Sequence, residues 1–490
     1  MQQNEDKNFN KLIVKMLLLI VGAVILCRYS SGAFAIILFA IGMCSALARK
    51  MGTFFVIYLL IPFLALMNPL IIPKGGIFGI TIRVSMFSMS LALILVSASM
   101  KTRERIPLGS LFLYLFFLSI SSIGGYCPPV SFMKLLLFSI FIWSLYIGSS
   151  AISTNPNEIH VVRALMLAFA VFLIYGSLLT LPFPSVCYLS AQMLINAGKS
   201  VEEAVATVVE GGSIGLFCGV TSHSQYLGTV LPCIIGWVLC DMLFIQKRIR
   251  FLHASLFVLS IPILYLTRSR AALLSFTFMM AVVYLFCLKK VSISHSARHY
   301  AKTAMISIVA LTVVVAIISE LRSHTLSRWI RKNDDTSDSR TVMEALTSSR
   351  QGSIEMNLYD FSKNPLLGTG FQVSEQVAEL YNSGKDSLII SAPIEKGLLP
   401  MLILGEGGVV GAISFVIFIL LFYSSCRRQK LYVTSTLFAV FLMTNMAEGN
   451  FFSATGGAAG WLISTIGGFS IDIANKRGVM EIPQIDPYIV

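Results

Sequence analysis

The stretch Gly397-Leu398-Leu399-Pro400-Met401-Leu402-Ile403-Leu404-Gly405-Glu406-Gly407-Gly408-Val409-Val410-Gly411-Ala412-Ile413-Ser414-Phe415-Val416-Ile417-Phe418-Ile419-Leu420-Leu421-Phe422-Tyr423 holds a single ionisable side chain short of its closing tyrosine, that of Glu406. About 20 apolar residues at 1.5 Å rise cross a hydrocarbon layer, so this run reads as a membrane helix. It is one of about fourteen such runs. The others cover residues 11–27, 32–47, 53–70, 77–100, 106–123, 130–150, 161–181, 226–245, 251–267, 271–288, 303–318, 431–446 and 457–473. Runs 32–47 and 431–446 are short enough to be re-entrant instead. With 56% hydrophobic residues, 12% charged residues and a mean hydropathy of +0.80, the chain lacks the polar surface of a soluble domain. Disorder, collagen, coiled coil and disulfide scaffold are excluded on the same grounds. The fold class expected is an all-α polytopic membrane protein with about 12–14 transmembrane helices.

The net charge of +13 is explained by topology rather than by nucleic acid. With a cytoplasmic N-terminus, about 21 Lys and Arg fall in inward segments and about 6 in short outward ones, in accord with the positive-inside rule. Both termini, 1–10 and 474–490, are then cytoplasmic. Residues 11–181 form an N-terminal bundle of about seven spans, 226–318 a middle group and 397–473 a C-terminal group. The intervening loops 182–225 and 319–396 face outward, and the second is large enough to fold. Gly32-Ala33-Phe34-Ala35 resembles a signal-peptide cleavage site, but the span that follows it fits a polytopic chain better. Nine cysteines without CxxC spacing predict neither zinc site nor disulfide framework.

Absent motifs narrow the function. No inward segment has room for a nucleotide-binding domain, and neither GxxxxGK[ST] nor HExxH occurs. The acidic cluster Asp334, Asp335 and Asp338 faces outward, where nucleotide sugars are not found, and reads as a solvated loop. Ionisable residues inside spans are few: Arg83, which either snorkels or lines a cavity, and Arg163 and Asp241 near span ends. Asp241 is expected at the interface beside Lys247 and Arg248.

Three outward motifs remain. Leu266-Thr267-Arg268-Ser269-Arg270-Ala271-Ala272 is a tight turn whose two arginines run against positive-inside. Guanidinium forks grip phosphate oxygens, and the small neighbours let a headgroup approach. In the long loop, Val342, Leu346, Ile354, Leu358 and Phe361 recur at helical spacing, with Arg340 and Arg350 along the same helix. That helix stops at Asn364-Pro365-Leu366-Leu367-Gly368-Thr369-Gly370-Phe371. Glu395-Lys396-Gly397 then leads into the span holding Glu406-Gly407-Gly408-Val409-Val410-Gly411.

Together these segments resemble the family of O-antigen ligases and Wzy-type O-antigen or exopolysaccharide polymerases. Thr267 to Ala272 looks like the family's Ser-Arg-Gly-Ala turn, and the segment from Gly219 to Gly228, with His223 and Gln225, is similar to its His-Pro-Asn segment. Arg350, fifteen residues before Pro365, matches the loop arginine, and Glu406 to Gly411 matches the family's Glu-Leu-Gly-Leu-Ile-Gly helix start. The likeness spans roughly residues 211–473. One departure leans toward a polymerase or divergent member: Glu395-Lys396-Gly397 stands where a His-Asn pair is usual, and the loop's histidine is His324, far upstream.

The resemblance implies a GT-C-like fold in the bacterial cytoplasmic membrane. It implies a cofactor-free, metal-independent, inverting transfer of glycan from undecaprenyl diphosphate to a glycan or lipid A-core acceptor on the outer side, with a chain-length regulator as a further partner. Arg270, Arg268, Arg350, Lys396 and Arg340 are the diphosphate-binding candidates. Glu395 is the candidate base or else a helix cap, and His223 is the alternative base. Glu406, Glu448 and Gln225 are supporting candidates. The rival readings are a lipid-linked oligosaccharide flippase, which would need related halves that the sequence does not show, and a membrane scaffold.

Overall fold

A computed structural model describes residues 2–48, 50–73, 77–98, 104–154, 156–188, 190, 195, 216–246, 250–267, 269–283, 351–383, 398–446, 449–453 and 457–477. It is an all-α membrane protein: among the described residues there is no strand, only two isolated bridges, and six helices are long and apolar enough to span a bilayer. Five shorter apolar helices lie among them. Helix α1 (Gln2–Leu47) is broken at Ser30, whose backbone leaves the helical region. The break divides α1 into the arms read from the sequence as two spans. Phe9 meets the His160 ring at 6.4 Å, Gly52 abuts Glu158, and Arg28 donates to the Leu70 carbonyl at 2.8 Å. The two arms of α1 therefore run in opposite directions, with α2 (Met51–Leu66) returning beside them.

The chain continues through α3 (Ile77–Ala98), α4 (Leu111–Ile123), α5 (Pro128–Thr154), α6 (Pro156–Leu179) and the short α7 (Pro184–Cys187). Then come α8 (Ser224–Cys240), α9 (Phe251–Leu266) and α10 (Arg270–Val282). Two loop helices, α11 (Gln351–Lys363) and α12 (Glu375–Asn382), precede α13 (Leu399–Arg428), α14 (Tyr432–Asn445), α15 (Ala458–Leu462) and α16 (Gly468–Arg477). A π-turn, Ile463–Gly467, joins the last two and leaves the Gly467 carbonyl to accept from the Trp237 indole at 2.9 Å. Lys476 pairs with Glu104 and Arg477 donates to the Ser153 carbonyl, so α16 ends at the same end of the bundle as Phe9 and His160.

That end also holds a correction to the sequence reading. Asp241 is not an exposed acid: it is fully buried within the bundle, 2.8 Å from Arg163 Nε and 3.1 Å from His253 Nε2. A π-turn at Asp241–Gln246 extends α8, and the guanidinium and imidazole supply the partners that a buried carboxylate requires.

The opposite end is filled by aromatic rings. Phe138, Phe371, Phe452 and Trp461 meet edge-on or tilted at centroid separations of 5.6–6.1 Å. Phe371 belongs to the long loop, so this cluster pins the loop to the bundle.

Candidate functional site

Glycine decides the local backbone. At Gly408, φ is 61° and ψ −160°, a combination closed to residues with a Cβ, and α13 breaks there. The break strips two carbonyls and two amides of their intrahelical partners. The turn after α11 supplies them. Thr369 and Gly370 amides donate to the Gly405 and Glu406 carbonyls at 3.0 and 3.2 Å. In return, Val409 and Val410 amides donate to Pro365 and Leu366 at 2.9 and 3.1 Å. Two motifs read separately from the sequence are thus one joint. The Glu406-Gly407-Gly408 motif, read as a helix start, lies instead at an internal break of α13, and its second arm starts from the docked turn.

Side chains close around the joint. Glu406, with no exposed surface, accepts at Oε1 from the Gln372 amide at 2.9 Å. Gln372, at φ 51°, donates from Nε2 to the Phe452 carbonyl at 3.0 Å. Lys134, buried in α5, donates to the Gln372 carbonyl at 3.0 Å. Ser131 accepts from the Phe371 amide at 2.8 Å and donates to Ser122 at 2.6 Å. A buried lysine and a buried carboxylate are thereby held on opposite sides of one residue's backbone.

Helix α11 buries its polar side. The apolar spacing predicts an amphipathic helix, and in the structure Leu358 is exposed while the buried residues are Asn357 and Asp360. Gly405 leaves room for Asn357, and the Tyr126 hydroxyl donates to Asp360 Oδ1 at 2.9 Å. Periodicity finds a stripe but not the medium it faces, and beside a membrane an apolar face needs no protein cover. Burial first, and then the bond to Asp360, hold the Tyr126 hydroxyl well above its usual pKa. A raised acid contributes stability that is complete below its unfolded value of about 10 and is lost only in stronger alkali. Tyr126→Phe is expected to lower stability by about 1–3 kcal/mol at neutral pH, because the buried carboxylate loses a donor. An unchanged thermal unfolding midpoint in detergent would show that the bond contributes nothing.

The remaining candidates lie at the first turns of α8 and α10. His223 caps α8, its Nδ1 accepting from the Gln225 amide at 3.1 Å. With Nδ1 accepting, the neutral ring carries its proton on Nε2 and presents a donor there. Ser269 caps α10, its hydroxyl accepting from the Ala272 amide at 3.3 Å, and Arg270 is the first helical residue. A Cβ on Gly228 would lie 2.9 Å from the Ser269 side chain, so α8 and α10 pack closely at their starts. The structure therefore brings the histidine segment beside the arginine turn, as two positive helix ends side by side. Arg268, Arg340, Arg350, Glu395, Lys396 and Glu448 lie outside the described residues, as does the side chain of Arg270. The N-cap of α13 is Leu398, without a side-chain cap bond.

Sequence reasoning passed over Lys134, Asp360, Asn357 and Gln372. Lys134 left a signal: a lysine in the second turn of an apolar helix at the end assigned outward. Gln372 left none, since its role rests on a positive φ.

Residues 255–416 match the family described as O-antigen ligase. The match covers about a third of the chain. The matched segment takes in most of α9, the arginine turn, α11, the docked turn and the break in α13. The segment from Gly219 to Gly228 precedes it. No curated protein matches the chain.

Proposed function

We propose that this membrane protein of the O-antigen ligase and Wzy family is a glycosyltransferase that transfers or polymerises undecaprenyl-diphosphate-linked oligosaccharide on the outer side of the bacterial cytoplasmic membrane. The observation that carries the reading is the family domain at 255–416, whose two ends are an arginine turn at a helix start and a glycine break that holds the outer loop. Basic residues support the orientation: Arg105, Arg250, Arg427, Arg428, Lys476 and Arg477 all lie at the end away from the docked turn, which the positive-inside rule assigns to the cytoplasm.

The chemistry follows from the charges. Breaking the bond between the anomeric carbon and the diphosphate leaves negative charge on the lipid diphosphate. Arg270, Arg268 and Arg350, with the ends of α8 and α10, supply fixed positive charge for it. Attack of the acceptor hydroxyl from the opposite face inverts the anomeric carbon, and Glu395 takes the hydroxyl proton. His223 serves as a phosphate donor through Nε2 rather than as the base. Fixed cations make the transfer independent of a metal. The outer loop, fastened through Phe371 and the break at Gly408, frames the acceptor side.

Reconstitution in liposomes with a lipid-diphosphate-linked oligosaccharide and EDTA tests this. Longer lipid-linked chains are expected for a polymerase, and transfer to added lipid A-core for a ligase. Substrate moved across the bilayer without a new glycosidic bond would replace the reading with a flippase.

A further inference from the structure

Where the first outer loop returns to the bundle, Tyr188 and Phe217 form an antiparallel bridge, their rings edge-on at 5.9 Å. One residue outward on each side stand Cys187 and Cys218. The Cys218 amide donates to the Cys187 carbonyl at 2.8 Å, and the Cys218 thiol donates to the same oxygen at 3.2 Å. These two bonds to one carbonyl set the backbone and the sulfur of Cys218 beside the backbone of Cys187, whose own amide turns back to Phe183 at the start of α7. Disulfides join Cα atoms at about 4.4–6.8 Å. Both cysteines carry thiols in this structure and both are fully buried.

We propose that Cys187 and Cys218 form a disulfide in the cell, made by exchange with a disulfide-carrying oxidant outside the cytoplasmic membrane. This rests on the orientation proposed above, since an oxidising compartment is needed. One cysteine thiolate attacks a sulfur of the oxidant's disulfide, giving a mixed disulfide and releasing one oxidant thiolate. The second cysteine thiolate attacks the mixed disulfide at the first cysteine's sulfur, forming the Cys187–Cys218 bond and releasing the oxidant's other thiolate. The protein loses two electrons and two protons, and the oxidant leaves as a dithiol.

The burial sets the order of events. It pushes the Cys218 thiol up to about 12 and raises that of Cys187, so neither is a ready nucleophile once the loop is packed. Exchange therefore precedes packing, and the finished bond is shielded from reductants.

The bond has a use in the fold. From Cys218 the chain runs to His223 in five residues, stitched to the end of α2 by Asn68 donating to Val220 and Ser222 donating to Leu66, both at 2.8 Å. A crosslink between Cys187 and Cys218 would anchor this approach to the α8 cap.

The test is made on the full chain. Membranes from acid-quenched cells are alkylated, digested without reduction and searched by mass spectrometry for the peptide linking Cys187 to Cys218. The expected result is a linked peptide that disappears on reduction and in Cys187→Ser or Cys218→Ser. A second arm reduces the protein, loosens it in mild denaturant so that both thiols are reached, and lets it repack in detergent with diamide present. No link in cells but a link with diamide would mean the loop faces a reducing compartment, which overturns the proposal together with the orientation. No link in either arm would overturn the geometry while leaving the orientation standing.

Discussion

Replacing Gly408 by alanine is expected to unfasten the long loop and abolish the proposed glycan transfer, while Gly407→Ala next to it is expected to be far milder. At Gly408 the new Cβ would stand 2.4 Å from the Leu366 carbonyl oxygen, in a backbone conformation that L side chains rarely adopt. The backbone strain alone is about 1–3 kcal/mol, and the overlap adds to it. Relief requires either straightening α13, which takes Val409 and Val410 from the Pro365 and Leu366 carbonyls, or withdrawing the turn, which leaves the Gly405 and Glu406 carbonyls without donors. Both routes release Phe371 from the aromatic cluster and Gln372 from Glu406 and Lys134. A Cβ on Gly407 meets only the tip of Leu118 at 3.3 Å, which a rotamer change relieves. Thermal unfolding and limited proteolysis near residues 364–374 report the difference. Equal behaviour of the two variants would mean the joint does not hold the loop.

The fold class was legible because lipid imposes a simple demand: long apolar runs, each closing its own hydrogen bonds. The break in α1 was legible as a gap between two runs, and so was the turn that separates α9 from α10. What escaped had no one-dimensional trace. Asp241 looked like an interfacial acid because its partners, Arg163 and His253, are brought to it only by the packing of α6 and α9 against α8. The partnership of the Pro365 to Gly370 turn with the Glu406 to Val410 break is a matter of backbone donors and acceptors, which side-chain identity records only through its glycines. The buried polar face of α11 has no trace in the apolar spacing for a third reason. Hydrophobic periodicity assumes that the alternative to burial is water, and beside a membrane it is not.

Arg270→Ala is expected to lower the rate of glycan transfer by about 10²–10³-fold with normal membrane insertion, the loss typical of removing one preorganised donor from a developing anion. Arg270 is the first residue of α10, its backbone fixed by the Ser269 cap and its turn set against α8 by the close approach at Gly228. No such constraint is needed for a residue that merely snorkels. If the guanidinium bears on the leaving diphosphate, its interaction grows as the anomeric bond breaks, so kcat should fall far more than KM rises. Arg270→Lys separates charge from shape: a lysine keeps the cation but not the two-pronged fork, and should recover only part of the loss. Kinetics with a lipid-diphosphate-linked oligosaccharide in liposomes decide the matter. A variant that raises KM with kcat unchanged would make Arg270 a docking contact for the resting donor. Full activity would remove it from the site and shift the burden to the other candidate cations of the outer loop, Arg350 and Lys396.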